Sequence, residues 1–152
     1  MTTTLDTRWL STEQQVTWRT YLAGVSRINE RLDAELRQFG LDLGEYEILV
    51  NLSEADQLEM RMSELAERTR QSRSRLTHTV ARMEAKGLIL RKSCPNDRRG
   101  VIAVLTAAGL SLLQSAAPTH VASVRAALVD VVSPEDFAAL GRAMKAVVEV
   151  AD

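Results

Sequence analysis

A chain of 152 residues with 45% hydrophobic and 26% charged residues and a net charge of −1 has a globular composition and is long enough to build one core. No apolar run approaches the roughly 20 residues needed to cross a bilayer, and the opening Met1–Asp6 lacks the basic and apolar regions of a secretion signal. The single cysteine, Cys94, excludes an internal disulfide and a cysteine-rich zinc site. These features predict one cytoplasmic domain over residues 1–152, with no metal and no cofactor.

Ser11 and Gln14 have the spacing of a capping box, which predicts a long helix starting there. Trp18, Leu22, Val25, Ile28, Leu32, Leu36 and Phe39 recur every three or four residues and make one apolar stripe. Gly40 supplies the left-handed stop. Asp42 and Glu45 repeat the capping pattern for a second helix that turns Tyr46, Leu49, Val50 and Leu52 inward. A short helix is predicted from Met62–Ser63. A few residues later Ser72 can cap another, which Gly87 ends. Two short helices so closely joined must cross steeply, the geometry of a helix-turn-helix.

Leu88–Lys92 and Val101–Leu105 are rich in strand formers, and Ser93–Gly100 between them holds Pro, Asn, Asp and Gly. That pattern predicts a β-hairpin, a wing, with Asp97-Arg98-Arg99 at its tip and Cys94 near its base. Thr106 caps a helix running to about Val132 with a bend at Pro118. Ser133 and Pro134, followed by Glu135 and Asp136, start a last helix whose stripe is Phe137, Leu140, Met144, Val147 and Val148. The fold class predicted is mainly α with a small β-hairpin wing, a winged helix-turn-helix.

Charge is unevenly spread along this frame. Arg61 to Arg99 holds eleven Lys/Arg and four Asp/Glu, a balance of +7, and the rest of the chain balances at −8. A basic block in an acidic protein suits local contact with a polyanion; a plain solvated charged face is the competing reading, and the local architecture decides between them. On the helix after Ser72, Leu76, Val80 and Met83 share one face. Ser74, His78, Ala81 and Ala85 lie opposite, flanked by Arg75 and Arg82 on one side and Thr77 on the other. Such a surface can enter a major groove of double-stranded DNA. Arg75 can donate twice to a guanine, while Ser74 and His78 reach neighbouring base edges. Arg73, Arg82 and Lys86 are placed for phosphates. Arg98 and Arg99 can enter a minor groove, and Asp97 is read as holding the wing together. His78 has no nucleophile at a motif spacing, and the chain shows no paired-carboxylate motif, phosphate loop or metal-ligand cluster. A catalytic site is not predicted.

Residues 62–92 (MSELAERTRQSRSRLTHTVARMEAKGLILRK), 95–100 (PNDRRG) and 101–109 (VIAVLTAAG) resemble the MarR family of bacterial transcription regulators. The Ser-Arg-Ser recognition helix, the turn Glu84-Ala-Lys-Gly87-Leu88 and the wing Asp97-Arg98-Arg99 carry the likeness. The resemblance implies a homodimer in which helices from residues 11–40 and 106–152 interlock, leaving 42–105 as the winged region. It implies a repressor bound to a palindromic operator. Many members release DNA when a small aromatic or phenolic ligand binds between the dimer helices and the winged domain. Trp18, Tyr21 and Tyr46 are candidates to line such a pocket, although aromatic residues at helical spacing are more often core. Some members sense oxidants through a cysteine near the N-terminus. This chain has none there, which argues against redox sensing. A winged-helix module that binds protein instead of DNA is the alternative, and the basic wing and helix face speak against it.

Overall fold

In the computed structural model residues 7–150 are described; Met1–Asp6, with the segment compared above to a secretion signal, and residues 151–152 lie outside them. The first helix, α1, spans Thr12–Leu36, and both halves of the Ser11/Gln14 capping box are made. A single 3-10 turn, Arg37–Phe39, leads into Gly40 at φ +70°, where the left-handed backbone ends the segment. Helix α2, Leu43–Glu54, starts on the reciprocal Asp42/Glu45 box.

A three-residue strand, β1 (Glu59–Arg61), follows and runs directly into helix α3, Met62–Arg68. The sequence did not announce β1, because three residues are too few for an alternating pattern. Its partner lies some forty residues on. Arg70, at φ +53°, makes the turn to helix α4, Arg73–Ala85, which Ser72 caps through the Arg75 amide. Gly87, at φ +75°, then releases the chain into β2, Ile89–Cys94, and β3, Asp97–Leu105. The sheet order is β1-β3-β2, antiparallel throughout.

Helix α5, Ala107–Val124, is capped by Thr106 and runs through Pro118 without interruption. Its regularity changes later than expected, at a π turn over Arg125–Val129. Leu113 and Ala116 are buried just before the proline, so packing carries the helix across the missing amide. Helix α6, Pro134–Val148, starts on the Ser133 cap.

The core lies where α2, α3, α4 and the sheet meet: Ile48, Leu49, Leu52, Leu65, Leu76, Val80, Met83 and Ile89 are almost fully enclosed. The terminal helices differ. Of the α1 stripe only Leu32 and Leu36 are buried, while Trp18 and Leu22 remain exposed. Helix α6 buries no residue, and Phe137, Val147 and Val148 face outward. Both stripes are present as read, but one chain alone does not cover them. No helix among the described residues is long and apolar enough to cross a membrane.

Candidate nucleic-acid interface

Helix α4 divides along its length as its sequence spacing requires. Leu76, Thr79, Val80 and Met83 are buried, whereas Ser74, Arg75, Thr77, His78 and Arg82 are exposed. Two clefts flank the exposed face. One, of about 360 Å³, lies between α4 and the wing and gathers Arg73, Thr77, Asp97 and Arg99, together with Arg61 of β1. The other, of about 1040 Å³, lies between α4, α1 and the start of α2, and includes Arg75, His78 and Arg82 beside Asp33, Asp42 and Arg70. Ser74 and Arg98 line neither. Arg73, Arg75, Arg98 and Arg99 have no ion-pair partner among the described residues, so their charge is available to an incoming anion. Thr77 donates its hydroxyl proton back to the Arg73 carbonyl at 2.8 Å, which leaves that oxygen as an acceptor.

The far end of α4 is tied down. Lys86 Nζ donates to Gly40 O at 3.0 Å and to Glu45 Oε1 at 3.3 Å. Arg82 Nη2 lies 3.7 Å from Asp42 Oδ2 and 3.8 Å from Glu45 Oε1. Lys86, read from its place in the sequence as a phosphate ligand, is in this structure a tether between α4 and the start of α2 that remains half-exposed. Arg82 shares this acidic pair but keeps half its side chain exposed. At this same end of α4, Glu84 is joined to β2: Arg91 donates to it from its amide at 2.8 Å and from its guanidinium at 3.0 Å. Those bonds hold the Glu84 carboxyl below the usual carboxylate range.

The wing departs from the expected hairpin. The turn is only Pro95–Asn96, since Cys94 pairs with Asp97, and the strands reach nearer the tip than strand propensity indicates. The next pair is Ser93 with Val101, which leaves Arg98, Arg99 and Gly100 with no residue opposite. The two arginines therefore stand on a bulge of β3, not at the tip itself. Asp97 Oδ1 accepts from the Arg99 amide at 3.0 Å, and Oδ2 lies 3.8 Å from Arg61 Nη1. Cys94 is beside the turn, at the outer end of the hairpin and not its base, and it is buried.

Within one chain the three candidate pocket aromatics, Trp18, Tyr21 and Tyr46, do not come together. Trp18 and Tyr21 stack on each other at 5.8 Å on the exposed face of α1. Tyr46 is a core residue lying 4.2 Å from the His120 ring of α5. The larger cleft beside α4, which no aromatic spacing pointed to, is formed by residues from three separate segments, most of them polar or charged.

Comparison with known proteins accounts for this arrangement. The MarR family profile matches residues 39–100. AbsC, a MarR family transcriptional regulator from Streptomyces coelicolor, is 48% identical over 94% of this chain and 97% of its own, with a TM-score of 0.89. The chain belongs to the MarR family of transcriptional regulators. Another MarR structure, Sco3205 from the same organism, solved in complex with DNA, is 41% identical over 94% of this chain and 91% of its own, with a TM-score of 0.90. The regulator MhqR of Bacillus subtilis is 28% identical over 110 residues, 72% of this chain and 73% of its own. In MarR terms α3 and α4 are the helix-turn-helix, α4 is its recognition helix, and β2–β3 is the wing.

Proposed function

We propose that this MarR protein is a sequence-specific transcriptional repressor that binds a palindromic operator as a homodimer. The observation that carries the reading is the exposed, acid-free run Arg73, Ser74, Arg75, Thr77 and His78 on α4, set beside the unpaired Arg98 and Arg99 of the wing. Arg75 with Ser74 and His78 reads base edges in the major groove; Arg73, Thr77 and Arg82 contact the backbone; Arg98 and Arg99 enter the flanking minor groove. That Sco3205 was solved with DNA supports the assignment by likeness.

Exposed apolar surface supports the dimer. Trp18, Leu22, Phe137, Val147 and Val148 lie on helices from the two ends of the chain, and a second copy would cover them. Such a dimer sets two recognition helices about one helical turn (~10 bp) apart on DNA. Control by a small ligand is the finer part of the reading. The cleft beside α4 holds Arg70 and Arg75, which suit an aromatic carboxylate or phenolate, although Glu30 and Glu47 also line it and Arg37 is already bonded to Asp33. An occupant would touch the residues that read DNA and shift the dimer towards a spacing that no longer fits.

The test is a titration of the protein against DNA from upstream of its own coding region, with random duplex as competitor and the stoichiometry measured. Tight, competitor-resistant binding of two chains per site supports the reading. Affinity no better than for random duplex points to the protein-interaction module instead.

A further inference from the structure

We infer that Arg61 is the positioning residue of the wing: it clamps both sides of the turn and so fixes the bulge that presents Arg98 and Arg99. This rests on the DNA-binding reading above. Within the sheet, strand β1 faces β3 only over Glu59–Val104, Met60–Ala103 and Arg61–Ile102. Beyond Ile102 the wing is a two-stranded ribbon, and an isolated two-stranded hairpin is at best marginally stable in water. Arg61, the last residue of β1, is the one placed to extend support outward.

Its guanidinium does so at two points. Nη2 donates to Cys94 Sγ at 3.1 Å, and Nη1 lies 3.8 Å from Asp97 Oδ2. Cys94 and Asp97 are the register pair that closes the turn, one from each strand. One cation thus touches the end of β2 and the start of β3 together. Asp97, held on one oxygen by Arg61, uses the other to accept from the Arg99 amide at 3.0 Å. The chain of contacts runs from the rigid sheet through Arg61 and Asp97 to the backbone of the bulge. Gly100 completes it, because a Cβ there would stand 2.9 Å from Cys94 Cβ. The bulge can sit against the turn only where that side chain is missing. Arg61 and Asp97 also share the cleft with Arg73 and Thr77 of α4, so the clamp sets the wing's distance from the recognition helix as well.

The experiment is a double-mutant cycle on a duplex selected by the wild-type protein from a random pool. Arg61→Ala in the otherwise native protein should weaken binding roughly fivefold to tenfold. In an Arg98→Ala, Arg99→Ala background it should have almost no further effect, because the groups it positions are gone. An equal loss in both backgrounds would mean that Arg61 meets DNA by itself and would overturn the proposal. If Arg61→Ala does not fold, Asp97→Asn breaks the same link with the arginine left in place, and the cycle is run on it. Amide exchange at Arg99, measured without DNA, is the second arm. Faster exchange in the variant than in wild type supports the clamp; unchanged exchange refutes it. A wild-type protein that selects no duplex would sink the DNA-binding reading, while the exchange arm would still judge the clamp.

Discussion

Gly109 of α5 lies directly against the carbonyl of Leu88: a Cβ added to it would stand 2.3 Å from Leu88 O and 2.7 Å from Leu105 Cδ1. The same junction is bonded twice more. Thr106 donates from its amide to Leu88 O at 3.1 Å and from its hydroxyl to Gly87 O at 2.7 Å. The start of α5 is therefore seated on the turn that links the recognition helix to the wing. Gly109→Ala must push backbone from backbone, and the expected cost is about 1–3 kcal/mol or somewhat more. A urea denaturation midpoint equal to wild type would show that the junction yields easily.

Glu45 joins the start of α2 to the end of the recognition helix. Its buried carboxylate accepts from the Asp42 amide at 3.0 Å and from Lys86 at 3.3 Å. Removing it strands a partly buried donor and deletes half of a capping box, so Glu45→Ala should cost about 1–3 kcal/mol. Lys86→Ala should cost less, ~1 kcal/mol at most, because the lysine is half-exposed and its loss leaves Glu45 with its other partners. Equilibrium unfolding of both variants checks the order; a larger loss for Lys86→Ala would contradict it.

Arg75 and Arg82 lie on the same flank of α4 but in different company. Arg75 has no acidic partner among the described residues, whereas Arg82 is shared with Asp42 and Glu45. Arg75→Ala should cost ~1–3 kcal/mol against the preferred base at one position of each half-site, and little elsewhere. Arg82→Ala should weaken all sequences alike and reduce the slope of log affinity against log salt by ~0.9 for each phosphate that the arginine neutralises. Binding selections and salt titrations on the two variants separate these roles. A uniform loss for Arg75→Ala would reverse the assignment.

His120 ties stability to pH. Burial against Tyr46 pushes its imidazole below the ordinary value of 6.5, and Nδ1 is enclosed without a hydrogen-bond partner. In the unfolded chain the ring takes its proton near pH 6.5, while the folded protein resists it to lower pH. Stability from this group is therefore complete above that pH and declines as pH falls below it. His120→Leu should lose less stability than wild type between pH 7.5 and 5.5. Equal losses in urea titrations at the two pH values would rule out His120 as the source.

Local chemistry alone determined much of this protein. Ser11, Asp42, Ser72, Thr106 and Ser133 each cap the helix expected, because a cap is settled by a side chain and an amide three residues away. The inward face of α4 followed from 3.6-residue periodicity for the same reason. What tertiary structure decided lies at longer range. Strand β1 is too short to recognise without its partner. The bulge carrying Arg98 and Arg99 depends on Arg61, which is 33 residues from Cys94 in sequence. Lys86 acts as a tether only because Glu45, 41 residues earlier, is beside it in the fold. Tyr46 faces the core as its helical spacing predicts, but its ring partner there, His120 of α5, is set by tertiary packing, as is the exposure of Trp18 and Tyr21. A pattern along the chain records which face of an element is apolar. Which charges meet across the fold depends on how the elements pack, and no local spacing encodes it.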